Sequence, residues 1–219
     1  MTDAECVRFL QWCLPRLGLR WSGYRRVRRT ACKRVERRMR ELGLAGPDAY
    51  RAFLERSPAE WPRLDAMLRI PVSRLWRDRR VFEALASDLV PSLAARAQAR
   101  GDAALRAWSA GCASGEEAYS LAMLWRIAVA PWFPGLRLDL LATDADPVMI
   151  ARARRACFAS SSLRELPEGW RDLVLEPAGD LYRVRPAFRE GIVFRVSDLR
   201  AEMPPGPFDL VLCRNVVIT

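Results

Sequence analysis

The chain changes its hydrophobic rhythm once. Up to about residue 95, apolar positions recur at steps of three and four, the period of amphipathic helices. From residue 104, short apolar runs alternate with helical stretches. The first part predicts helices over 3–17, 24–42, 47–56, 58–69 and 78–96. Pro47, Pro58 and Pro71 mark boundaries, and Asp48 and Ser57 are candidate helix caps. The segment VFEALASDLVPSLAARAQARG reads as a connecting helix kinked at Pro91. The second part predicts strands at 105–109, 137–142, 192–196 and 208–213, with helices near 116–130 and 147–156. Such alternation predicts a doubly wound, mainly parallel sheet. Residues 160–190 hold turn signals and one candidate short helix at 162–172. The expected fold class is α/β, with an all-α domain over 1–85, a linker helix over 86–103 and a strand–helix domain over 104–219.

Charge sharpens one helix. The net charge is +10, and residues 20–40, RWSGYRRVRRTACKRVERRMR, hold ten basic side chains and one acidic one. Tyr24, Val27, Ala31, Val35, Met39 and Leu42 form an apolar stripe, whereas Arg26, Arg29, Lys33, Arg37 and Arg40 fall on the opposite one. The helix is expected to bury one side and present a positive ridge on the other, with Gly43 at its C-terminal end. A ridge of this kind suits nucleic acid, an anionic membrane or an acidic protein surface, and a merely solvated face is the plainer alternative. Residues 25–40 lack interleaved aromatics, which weighs against base stacking.

Composition removes several chemistries. The chain has no histidine, which excludes histidine-assisted serine or cysteine nucleophiles and makes a zinc site unexpected. The six cysteines, Cys6, Cys13, Cys32, Cys112, Cys157 and Cys213, are scattered without a Cys-x-x-Cys pair and are expected as reduced thiols of a cytoplasmic protein. No apolar run is long enough to span a bilayer, and the N-terminus lacks the pattern of a secretory signal.

The candidate chemistry lies in AWSAGCASGEEAYSLAMLW, residues 107–125. A strand feeds a small-residue loop containing Gly111 and Gly115, and a helix opens at Glu116-Glu117. Such a loop lets backbone approach a ligand at a helix N-terminus. The two glutamates would repel phosphate but suit ammonium, sulfonium and ribose hydroxyl groups, which points to S-adenosyl-L-methionine. The second strand runs into ATDADP, where Asp144 is placed to accept ribose hydroxyls and Asp146 to cap the next helix. The third strand ends in Ser197-Asp198-Leu199, with Asp198 a candidate partner for an adenine amino group and Leu199 for backbone contacts. The fourth ends in Cys213-Arg214-Asn215. All fall at the carboxyl edge of the expected sheet. Taken singly, a tight small-residue turn or a capping aspartate is more often structural.

These segments resemble the CheR-type methyltransferases of bacterial chemotaxis receptors. The resemblance is carried by RRMRELG, RIPVSRLWRDRRVF, WSAGCASGEEAYSLAM, ATDADPVMIARAR and PPGPFDLVLCRNVVI. It implies a Rossmann-like S-adenosylmethionine-dependent domain behind a small helical one, and methyl transfer to glutamate side chains on cytoplasmic receptor signalling helices. It implies that Arg77 is the active-site arginine and that Ser73 takes the place of a neighbouring threonine. Glu117, Asp144, Asp198, Leu199, Arg214 and Asn215 match cofactor-contacting positions. The basic helix matches the receptor-facing surface.

Three features depart from that pattern. Leu75 and Trp76 replace paired phenylalanines, and Pro71 replaces an asparagine whose amide proline cannot supply. Thr219 stands where the family has a tyrosine. The chain ends after four predicted strands of a sheet that normally has seven, so a C-terminally truncated domain with an incomplete sheet is expected. These departures leave a second reading open, an impaired remnant that docks on receptors or a partner through its basic helix. An RNA methyltransferase is a third, weaker one. The expectation for the chain as given is weak or no methyl transfer.

Overall fold

The computed structural model describes residues 1–25, 27–68 and 73–214. The chain folds into two compact units, Met1–Ile70 and Pro71–Arg214. This division differs from the expected boundary at residue 85. Trp76, Phe82, Leu85, Val90, Ala94 and Ala97 belong to the core of the second unit, so the stretch anticipated as the end of the helical domain and a linker is part of the α/β body.

The helical unit comprises α1 (Asp3–Cys13), α2 (Trp21–Tyr24), α3 (Arg28–Glu41), α4 (Pro47–Arg56) and α5 (Trp61–Leu68). A capping box opens α1: Thr2 Oγ1 accepts from the Glu5 N–H at 3.2 Å, and Glu5 Oε2 accepts from the Thr2 N–H at 2.6 Å. Phe9, Leu10, Ala31, Val35, Met39, Tyr50, Leu54, Leu64 and Leu68 fill the core. The expected continuous helix over 24–42 is broken before Arg28, where α3 starts after Val27 without a side-chain cap. Asp48 and Ser57 make no side-chain cap; Gly46 precedes α4, and Asp48 lies in its first turn, where a negative charge favours the dipole. Gly43 adopts φ +65° beyond α3, as expected.

Two cysteines correct the expectation of six thiols. Helices α1 and α3 bring the Cys6 and Cys32 Cα atoms to 5.8 Å, and the pair is disulfide-bonded. Cys13, Cys112, Cys157 and Cys213 are free. The link joins residues 26 apart, and it arises from helix packing that no local spacing signals.

The α/β unit begins with α6 (Arg79–Ala84) and α7 (Val90–Ala99). A π-helical turn at Leu85–Leu89 separates them. That turn takes the place of the anticipated kink, since the wider spacing accommodates the ring and the missing N–H of Pro91. There follow β1 (Ala104–Ala110), α8 (Glu116–Leu124), β2 (Arg137–Asp144), α9 (Pro147–Arg155), β3 (Cys157–Phe158), α10 (Trp170–Val174), β4 (Leu175–Ala178), β5 (Leu181–Val184), β6 (Ile192–Val196) and β7 (Leu210–Leu212). The main sheet is parallel, in the order β6-β2-β1-β7. Each of its strands coincides with a sequence-predicted one. The chain leaves β1 toward β2 on one side and returns to β7 on the other, so the strand order reverses at β1. Ligands of open parallel sheets sit beyond the strand ends at that reversal.

Residues 157–184 differ from expectation. Instead of one helix at 162–172, the chain makes a 3₁₀ turn at Ser160–Leu163, the short α10, and an antiparallel sheet in the order β3-β5-β4. Its strands hold two to four residues each, too few for alternation to register.

Among the described residues no helix is long and apolar enough to cross a membrane. No group of three or more His, Cys, Asp or Glu among them is placed to hold a metal ion.

Candidate functional site

The loop after β1 is shaped by backbone conformation. Gly111 has φ +68°, Ala113 +48° and Gly115 +92°. A Cβ on Gly115 would lie 3.0 Å from Ala153 Cβ, 3.1 Å from the Tyr119 ring and 3.2 Å from the Phe194 ring. Glycine here lets α8 start tight against α9 and β6; its bare face meets protein. Asp144, at the end of β2, ties this loop down: Oδ2 accepts from the Ala113 N–H and Oδ1 from the Asp146 N–H, both at 2.9 Å. Asp146 in turn caps α9, accepting from the Val148 N–H at 2.8 Å. The expected capping role of Asp146 is observed, whereas Asp144 here accepts backbone N–H groups of its own and the neighbouring loop.

Asp144, Glu116 and Glu117 thus surround the loop at the carboxyl ends of β1 and β2, and all three act electrostatically on the Cys112 thiol within it. Glu117 accepts from Ser109 Oγ at 2.8 Å, and its other oxygen lies 3.6 Å from Arg214 Nη1. Burial nevertheless pushes its carboxyl above the usual range, outweighing Ser109, Arg214 and Arg77. Glu116 accepts from Ser114 Oγ at 2.9 and 3.0 Å and from the Ser73 hydroxyl, and burial raises it as well. The buried Cys112 thiol is driven up by burial and by the fields of Asp144 and Glu117. At Glu116 and Glu117 burial thus outweighs the arginines and serines that act on them. That set of carboxylate acceptors fits S-adenosylmethionine, whose hydroxyl and ammonium groups donate and whose sulfonium is a cation, and it disfavours a phosphate.

Arg214 joins the strand ends to the Arg77 segment. Its Nη2 donates to the Arg77 carbonyl at 2.9 Å and to Asp78 Oδ2 at 2.5 Å, and its guanidinium lies 5.2 Å from the Phe82 ring centroid. Trp76 and Asp78, which flank Arg77, both hold left-handed backbone, at φ +61° and +62°. For side chains of this kind that conformation costs about 1–3 kcal/mol and persists only where neighbours impose it. Here Leu75 N–H donates to the Ser162 carbonyl at 3.0 Å and Trp76 N–H to Ser120 Oγ at 2.8 Å. Leu75 and Trp76 are buried, Trp76 against Phe82 and Trp170, so the replaced phenylalanines correspond to core positions.

Among the sequence-predicted residues, the structure brings together Ser73, Arg77, Glu117, Arg214, Asp144 and the Gly111–Gly115 loop. Asp198 lies just beyond, since Ser197 N–H donates to the Asp144 carbonyl at 3.0 Å. Its carboxylate is engaged by Arg200, at 3.0 Å through Nε and 2.7 Å through Nη2. Leu199 is half-buried in the following turn. Asn215, Arg26, Pro71 and Thr219 lie outside the described residues. Sequence reasoning missed Ser109, whose hydroxyl holds Glu117, and the part of Glu116; a serine ending a strand carries no signal of its own.

On the helical unit, Arg29, Lys33, Arg37 and Arg40 are exposed on α3, while Ala31, Val35 and Met39 are buried opposite. The intervening arginines are engaged: Arg28 with Asp3, Arg34 with the Met67 carbonyl, and Arg38 with Glu60. Arg37 lies 3.8 Å from Glu41, a loose surface pair.

Comparison with known proteins agrees with this geometry. Residues 71–219 match the family described as "CheR methyltransferase, SAM binding domain". The chain is 38% identical over 154 residues to a chemotaxis protein methyltransferase of Listeria monocytogenes, covering 70% of this chain and 55% of that protein. It is 30% identical over 226 aligned positions to the chemotaxis protein methyltransferase of Salmonella typhimurium, covering all of this chain and 74% of that one. It is also 35% identical over 189 residues to an "Uncharacterized 104.1 kDa protein in hypE 3'region" of Rhodobacter capsulatus, covering 86% of this chain but 20% of that protein. The chain therefore spans about half or less of the length of two of these relatives. The match over 71–219 and the carboxylate-lined strand ends it contains lead to one assignment: this chain belongs to the CheR methyltransferase family, and its α/β unit is that family's S-adenosylmethionine-binding domain.

Proposed function

We propose that the chain transfers a methyl group from S-adenosylmethionine to glutamate side chains of chemotaxis receptors, in the cytoplasm. The observation that carries this reading is the acidic surround of the loop between β1 and α8, where burial raises the Glu116 and Glu117 carboxyls and Asp144 holds the loop, with the Arg77 backbone tied to Glu117 through Arg214. When bound, S-adenosylmethionine supplies a methyl group on a sulfonium sulfur, already a good leaving group. Asp144 and Glu117 would hold its hydroxyl and ammonium groups, and the loop from Gly111 to Gly115 would border it. Arg77 would bind and orient the acceptor carboxylate. A glutamate is ionised at neutral pH, so no general base is required, and a chain without histidine loses nothing. What the protein contributes is alignment and exclusion of water. The exposed stripe of Arg29, Lys33, Arg37 and Arg40 would steer and seat acidic receptor helices.

Labelled methyl transfer to receptor cytoplasmic fragments tests this, with mass spectrometry to locate the modified side chains. Turnover on glutamate that falls sharply but stays measurable in Arg77→Ala is the expected result. Cofactor binding without turnover would favour the docking-only alternative, and label on RNA would overturn the protein-substrate reading.

A further inference from the structure

The turn that presents Arg77 is closed by a residue outside the cofactor site. Glu165 lies in the stretch between the 3₁₀ turn at Ser160–Leu163 and α10. Its Oε1 accepts from Arg74 Nη1 at 3.1 Å, and its Oε2 accepts from the Asp78 N–H, also at 3.1 Å. The two partners stand on either side of Arg77 and belong to the same turn, so one carboxylate spans its mouth. Arg214 holds the Arg77 carbonyl and the Asp78 carboxylate. Asp78 is thus gripped twice, by its N–H from Glu165 and by its side chain from Arg214, at the residue whose φ is +62°. Left-handed backbone at a non-glycine residue relaxes unless contacts over-determine it. A backbone N–H to a carboxylate, and a guanidinium to a carboxylate, are the strong kinds of hydrogen bond for that purpose.

We infer that Glu165 is a positioning residue for Arg77. It fixes the 74–78 turn in the left-handed conformation that aims the Arg77 guanidinium, without touching cofactor or acceptor itself. This inference rests on the proposed methyl transfer only for the part that Arg77 plays; the closure of the turn stands apart from it. Glu165 and Arg74 are both partly exposed, with side-chain exposures of 30% and 47%, so their removal leaves the cores intact.

The test uses the full chain with Glu165→Ala, Glu165→Gln, Arg77→Ala and the Glu165→Ala/Arg77→Ala double variant. Hydrogen–deuterium exchange at the 73–79 segment should accelerate about tenfold in Glu165→Ala, the scale of one lost charge-assisted hydrogen bond, while β1 stays protected. In methyl transfer, kcat should fall about tenfold for Glu165→Ala, with S-adenosylhomocysteine affinity within about twofold of the parent. Glu165→Gln keeps an acceptor for the Asp78 N–H and should recover most of the loss. The double variant should be no worse than Arg77→Ala alone, because a residue acting through Arg77 has nothing left to position. Losses that multiply in the double variant, or exchange at 73–79 unchanged in Glu165→Ala, would overturn the inference. If the parent transfers no methyl group to receptor glutamates, the functional proposal fails, and the exchange measurement still decides the role of Glu165.

Discussion

Glu60 in the helical unit and Glu116 in the α/β unit are equally buried, at 5% and 4% exposure, yet their surroundings differ in kind. Glu60 takes a bidentate fork from Arg38, at 2.8 and 2.9 Å, and a third bond from the Tyr50 hydroxyl at 3.0 Å. Those contacts hold its carboxyl below the usual range, the Arg38 hydrogen bonds being the largest cause. Glu116 has two serines and Glu117 has one serine and a guanidinium at 3.6 Å, and burial wins at both. A buried carboxylate with its full complement of donors is structural. Glu116 and Glu117, where burial outweighs the available partners, stand instead at the reversal point of a parallel sheet, the place proposed above for the ligand.

The contrast can be broken most severely at Arg38. Arg38→Ala strands Glu60 without its partner and should cost about 3–5 kcal/mol in urea unfolding, with S-adenosylhomocysteine affinity unchanged; a loss below about 1 kcal/mol would show that Glu60 is not fixed by that fork. Gly115→Ala comes next. Left-handed strain and contacts of 3.0–3.2 Å on three sides should together destabilise by about 2–4 kcal/mol, seen as a lower Tm, and a neutral substitution would contradict the tight seating of α8.

Glu117→Gln sharpens the comparison from the other side. Removing an under-compensated charge should leave stability equal or slightly higher, while cofactor affinity falls about tenfold, or ~1.4 kcal/mol. A stability loss like that of Arg38→Ala would place Glu117 with Glu60. The pH response should also have opposite signs. The unperturbed carboxyl value is 4.5. Glu60, lowered in the folded state, contributes stability that is present above 4.5 and lost as pH falls through its folded value. Glu116 and Glu117, raised, contribute stability that is present below 4.5 and lost as pH rises through their folded values. A cationic ligand favours the ionised form, so affinity for S-adenosylhomocysteine, which keeps the ammonium group, should rise with pH from 4.5 toward neutrality. Calorimetry in buffers of different ionisation enthalpy should register proton release, and Glu117→Gln should flatten the profile. The smallest effect is expected at the ridge. Reversing Arg29, Lys33 and Arg37 to glutamate should weaken receptor association several-fold at low salt and leave cofactor binding alone; equal loss of both would make the ridge structural.

Much of the α/β unit was legible because its strands carry short runs of apolar and β-branched residues, and all four sheet strands fell where those runs lie. The place of the small-residue loop and of Asp144 at the strand ends was legible because glycine turns and strand-ending carboxylates are local features. What was hidden was non-local. The Cys6–Cys32 link depends on how two helices meet, and the true start of the second unit depends on Trp76 and Phe82 joining a core far along the chain. Glu60 looked like any surface glutamate in PAEW until Arg38 and Tyr50 closed on it. The 157–184 sheet was too short-stranded to show a period.

Calorimetric titration of S-adenosylhomocysteine into the parent chain, Asp144→Ala and Lys33→Glu tests the central claim most directly. Binding should weaken more than tenfold in Asp144→Ala and stay within about twofold in Lys33→Glu. Undiminished affinity in Asp144→Ala would mean that the ligand does not lie at the ends of β1 and β2.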